Sequence, residues 1–175
     1  MVTLQQLQPM AQHSDVFRDA RRVAVIDMGS NSWRVVVFEY VPNLSFKLID
    51  EAQEGVRIGE GMADLNVLRP AAMDRAARAA GIFAGFCAAS GISDIIAVGT
   101  SAIRDAQNQA RFLQRMEKEA GLQVRVLSGE EEAWYGYLAA VNSTTLENGF
   151  VIDLGGGSLQ IIRVEDRRSV HAISF

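Results

Sequence analysis

Two stretches of this chain are near-copies of each other: VIDMGSNSWRVVVFE, beginning at Val25, aligns without gaps on VIDLGGGSLQIIRVE, beginning at Val151, with Val, Ile, Asp, Gly, Ser and Glu identical. Each copy reads as an apolar strand that ends in an acid, a glycine-containing turn, and a second strand. A repeated unit of this kind narrows the possible folds sharply. It predicts two similar sheets, each opening with an acid-glycine hairpin, joined by the chain between them.

The intervening sequence supports that plan. VAVIDM, WRVVVFEY and SFKLIDEA read as a three-stranded meander separated by GSN and VPN turns. A Gly-rich loop (EGVRIGEGMADLN) leads to Pro70, which opens an Ala-rich helix to about Ser90, stopped by Gly91. A short strand at Asp94 to Val98 follows, then a helical stretch from Ser101 to Ala120 broken near Asn108, and a strand from Val124 to Leu127. Ser128 and Glu131 form a capping-box signature for a helix reaching about Val141. Strands at Phe150 to Leu154, Leu159 to Val164 and from Val170 complete the pattern. The expected organisation is an α/β layer fold with a polar tail (1–21), a first lobe (22–128), a connecting helix and turn (129–147), and the opening strands of a second lobe (148–175).

At 49% hydrophobic and 22% charged the composition is that of a globular protein, and a net charge of -4 gives no general reason to bind nucleic acid or an anionic membrane. The first twenty residues lack the apolar run of a signal peptide. The single cysteine, Cys87, falls in an apolar helix and reads as core. His13 and His171 have no ligand spacing and no role is assigned to them.

The chemistry concentrates at the repeats. A buried strand delivering Asp27 into the Gly29-Ser30-Asn31 turn sets a carboxylate beside backbone N–H groups. Such a turn can cradle phosphate oxygens while the acid holds Mg²⁺ or a water, and Asp153 with Gly155, Gly156, Gly157 and Ser158 repeats the arrangement. Either hairpin alone is also what an ordinary polar turn looks like; the pair suggests a clamp. No G-x-x-x-x-G-K-[ST] or G-x-G-x-x-G pattern is present at these turns, so neither a P-loop nor a dinucleotide site is supported. Arg104, where GTSAIR passes from strand to helix, reads either as an anion ligand or as a surface ion pair. Glu130, Glu131 and Glu132 suit a helix N-terminus, and at most one or two of them share a face toward a cleft.

VIDMGSNS, VRIGEGM, GTSAIRDAQN, SGEEEAWYGYLA and VIDLGGGS, in this order from Val23 to Phe175, resemble the exopolyphosphatase / guanosine pentaphosphate phosphohydrolase (Ppx/GppA) family. The resemblance implies an actin-like (ASKHA, ribonuclease H-like) lobe with the start of a second similar lobe. It implies Mg²⁺-assisted attack of water on a terminal phosphoanhydride of polyphosphate or guanosine pentaphosphate, in a homodimer; the cytoplasmic location is expected from the sequence itself, which shows neither a signal-peptide run nor a stretch apolar enough to span a bilayer. Carried over by motif, Glu132 is the base, and Asp27 and Asp153 hold metal or water. Arg104 steadies the phosphate, while Gly29, Ser30, Asn31 and Ser32 cradle it with Gly155, Gly156, Gly157 and Ser158. Two positions depart from the family pattern: Gln160 replaces the acid of GGGSTE, and Trp134 stands where an arginine often follows E-E-A. Family members are longer, so the second lobe is expected to continue past Phe175 and this segment alone to be inactive. A non-hydrolytic polyphosphate or alarmone sensor is the alternative, with an actin-like ATPase or sugar kinase third.

Overall fold

A computed structural model of the chain describes residues 19–62 and 65–175. The tail read over 1–21 therefore lies almost entirely outside the described residues. Arg21–Met28 (β1), Trp33–Val41 (β2) and Ser45–Glu54 (β3) form an antiparallel meander, while Ile95–Gly99 (β4) lies parallel to β1 and Val124–Val126 (β5) parallel to β4. The five-stranded sheet has the order β3-β2-β1-β4-β5. Strand alternation then divides β1 between two faces. Ala24, Ile26 and Met28 are buried in the core, and Val25 and Asp27 take the opposite face.

The core face is covered by helix α1 (Pro70–Ala89) and, after the short α2 (Ser101–Arg104), by α3 (Gln109–Ala120). In α1 a proline occupies the first turn, where its missing N–H costs nothing, and alanine dominates the buried stripe Ala72, Ala76, Ala79, Ala80, ending in Phe83 and Cys87. Small residues let the helix lie close to the sheet. Truncating a large side chain on that stripe, such as the fully buried Phe83, would cost about 3–5 kcal/mol. The break near Asn108 is real and has a tertiary cause. The Asn108 amide bonds the backbone N and O of Leu68, at 2.9 and 3.0 Å, instead of capping α3.

Helix α4 (Gly129–Ser143) opens with the expected capping box between Ser128 and Glu131. It packs Ala133, Tyr137 and Val141 onto Ile162 and Val164 of a second sheet, β6 (Gly149–Leu154), β7 (Leu159–Glu165) and β8 (Arg168–Ser174), ordered β6-β7-β8 and antiparallel throughout. The repeats are therefore structural equivalents, each forming the first hairpin of its sheet. Among the described residues no helix is long and apolar enough to cross a membrane.

Candidate active site between two acid-glycine turns

The carboxyl ends of the parallel strands β1, β4 and β5 lie together, which in open α/β sheets is where ligands bind. From these ends rise the turn after Asp27, the start of α2 and the start of α4. The second hairpin faces them. A cleft of about 880 Å³ lies between, lined among others by Asp27, Ser30, Asn31, Glu132, Asp153 and Ser158.

Within it, the two copies of the repeat touch. Gly156 lies so close to Asn31 that a Cβ there would be 3.0 Å from the Asn31 Cβ; one on Gly157 would be 2.7 Å from Ser30 Oγ and 2.9 Å from Ser101 Oγ. Those hydroxyls are themselves tied, Ser30 Oγ to Ser101 Oγ at 2.9 Å and the Ala102 N–H to Ser30 Oγ at 3.2 Å, so they have little freedom to retreat. Glycine is required here for approach, which the sequence registers only as a run of three.

Of the three glutamates that open α4, only Glu132 enters the cleft. Its Oε2 accepts from Arg104 Nη1 at 2.8 Å and its Oε1 from Ser158 Oγ at 3.0 Å, so one carboxylate links the first lobe, α4 and the second turn. Arg104 also donates to the Leu127 carbonyl at 3.3 Å and pairs with Asp105. Of the two sequence readings of Arg104 the structure forms the ion pair, and forms it inside the site and not on the surface. Its guanidinium is committed to Glu132 rather than open to an anion.

Asp27 and Asp153 line the cleft from opposite hairpins. Solvent reaches Asp27, yet the surrounding protein is close enough that desolvation raises its pKa above 3.8, with the negative charges of Glu132 and Asp153 adding to the rise and Arg34 opposing it. Asp153 rests against α4 where a Cβ on Gly136 would be 3.5 Å from its Oδ2. Gly136 lies one turn after Glu132, so the helix face that presents the glutamate also clears space for the aspartate. Sequence reasoning missed Gly136, and its position four residues after Glu132 was the available signal. It also missed Tyr135, Phe38 and Ile96, which give the cleft an apolar flank that only the fold assembles.

Hard carboxylate oxygens facing one another across an open cleft are the donor type a divalent cation such as Mg²⁺ takes, with water and phosphate oxygens completing its shell. Among the described residues no three acids or histidines form a ready-made cage. Gln160 stands directly across the ladder from Asp153, but its side chain is buried beside α4 and donates to Ser174 Oγ at 3.1 Å. Trp134 is half exposed on α4 and stacks at an angle on Tyr137, outside the cleft lining.

Residues 36–175 match the model of the Ppx/GppA phosphatase family. A putative exopolyphosphatase of Haemophilus influenzae is 33% identical over 150 residues, covering 85% of this chain and 46% of the relative. A guanosine-5'-triphosphate,3'-diphosphate pyrophosphatase of Pseudoalteromonas atlantica is 32% identical over 153 residues, 87% of this chain and 30% of that protein. The chain thus spans half or less of the length of these relatives. The crystal structure of an exopolyphosphatase from Cytophaga hutchinsonii superposes with a TM-score of 0.80 at 26% identity, over 89% of this chain and 50% of the other. With its actin-like sheet order and its paired acid-glycine turns, the chain belongs to the Ppx/GppA phosphatase family.

Proposed function

We propose that the protein of which this chain forms the site-bearing part hydrolyses the terminal phosphoanhydride of inorganic polyphosphate or guanosine pentaphosphate. The observation that carries the reading is Glu132, held at both oxygens and facing two aspartates from the repeated hairpins. Water attacks the terminal phosphorus while Glu132 Oε1 takes its proton. The bridging P–O bond breaks, the bridging oxygen leaves with the remainder of the substrate, and the products are orthophosphate and a polyphosphate or guanosine polyphosphate shorter by one phosphoryl group. Arg104 fixes the plane of the Glu132 carboxylate through Oε2, leaving Oε1 for the water once Ser158 turns its hydroxyl to a phosphate oxygen. The turns at Gly29 to Ser32 and Gly155 to Ser158 offer N–H groups to the same phosphate. Asp27 and Asp153 would hold Mg²⁺, which supplies neutralisation of the phosphate charge. A cytoplasmic homodimer belongs to the same reading.

Phosphate release in the presence of Mg²⁺, with polyphosphate, guanosine pentaphosphate and ATP offered in parallel, tests it. Glu132→Gln should lower turnover by roughly 10²–10⁴-fold, the contribution of a positioned general base. Release that Glu132→Gln leaves unchanged would remove Glu132 from the chemistry. Gln160 favours one second reading, a module that holds these polyanions without cleaving them, because an amide opposite Asp153 cannot supply a further cation-binding charge. A large gain of turnover in Gln160→Glu would support that reading.

A further inference from the structure

Behind the contact between the two turns lies a second cavity, of about 460 Å³. It shares Ser30, Asn31, Ser101 and Gly156 with the main cleft, so a single thickness of chain separates the two spaces. Part of that wall is the contact of Gly157 with the linked hydroxyls of Ser30 and Ser101, which consists of small groups only. The far side is polar. Glu60 and Asp105 line it, but their carboxylates are taken by Arg75 at 2.6 Å and Arg104 at 3.3 Å. Arg57 is then the one cation among the described lining residues, with the amide of Asn66 lining the same space.

Both Arg57 and Asn66 hold left-handed backbone, φ 48° and 47°. For an arginine this is uncommon and persists only where neighbours enforce it. Here the Arg57 N–H donates to the Asn31 carbonyl at 2.7 Å, and the Arg57 carbonyl accepts from Arg75 Nη2 and from the Glu60 N–H, each at 3.1 Å. The residue is anchored to the back of the first turn.

We propose that this rear cavity is an orthophosphate site, a vestibule into which the released phosphate passes between the two turns while the shortened polymer still fills the front cleft. The source of the phosphate rests on the hydrolase reading; the anion site itself does not. With one cation among its described lining residues, such a site holds its anion loosely, as an exit requires.

Calorimetric titration of the chain with inorganic phosphate tests the site. Saturable binding is expected, weakened roughly tenfold or more by Arg57→Asn, which removes a charged donor while tolerating the left-handed backbone. Asn66→Asp, which places a like charge at the cavity, should weaken it as well, whereas Lys47→Ala, which removes an exposed cation outside both cavities, should change it by no more than about twofold. No saturable binding, or binding that Arg57→Asn leaves unchanged, would overturn the proposal. The hydrolase reading fails separately: absence of turnover on every polyphosphate offered, with Arg57-dependent phosphate binding intact, would refute the enzyme and uphold the site.

Discussion

Three consecutive glutamates open α4, and their fates differ because successive helical residues point about a quarter-turn apart. Glu131 turns back on the helix start. It accepts from the Ser128 N–H at 2.9 Å and pairs with Arg125, and the backbone bond, followed by the arginine, lowers its pKa below 4.5. A depressed carboxylate adds stability that is fully present above its unfolded pKa and is lost as pH falls through its folded one. Glu131→Gln should therefore lower the melting temperature at pH 7, and the gap to the wild type should close as pH drops below about 4.5, measured by thermal denaturation across that range. A gap that persists in acid would assign the effect to cap geometry instead of charge. Glu132, next in sequence, carries the proposed chemistry, and Glu130 carries neither role.

At the level of elements, the contact between turns and the closure of the second sheet are the informative pieces. Gly157→Ala would force a Cβ into hydroxyls that are already hydrogen-bonded, and overpacking of this kind costs about 1–3 kcal/mol. The loss should shrink in a Ser30→Ala background, where the nearest clashing atom is gone; equal losses in both backgrounds would refute the clash. The β7–β8 turn is a two-residue loop in which Asp166 and Arg167 both have positive φ, although neither is glycine. Arg167 offsets that strain by donating to the carbonyls of Val141, Thr144 and Leu146 at the end of α4, while its own carbonyl accepts from Tyr137 Oη at 2.7 Å. Arg167→Gly relieves the backbone and removes the guanidinium. It should still destabilise the chain by about 1–3 kcal/mol in denaturant unfolding, and a neutral result would show that the helix end needs no such partner.

Across the whole molecule, the two sheets are covered unequally. Among the described residues the first has α1 and α3 on one face and the cleft on the other, whereas the second has α4 on one face only. Its outer face presents Phe150, Ile152, Leu154 and Phe175, each more than 60% exposed, beside the edge strand β6. An apolar face with an open edge favours association. The chain should sediment as dimers or larger species at micromolar concentration, and Ile152→Lys should shift it toward monomer; a wild type that stays monomeric would contradict this. Much of this architecture was legible in the primary structure. The repeat announced two equivalent hairpins, and hydrophobic period, Pro70, Gly91 and the Ser128-Glu131 box located the helices, because these signals act over a few residues. The aspartates and the glycine turns stand out for the same local reason, whereas Glu132 is singled out by the resemblance to the family motif and not by a local signal. Which glutamate faces the cleft, why Gly157 cannot bear a side chain, how Arg104 is engaged, and that Arg57 lines a cavity behind the first turn were decided only by the tertiary structure. Each depends on distances between segments far apart in the chain, and those distances are set by packing.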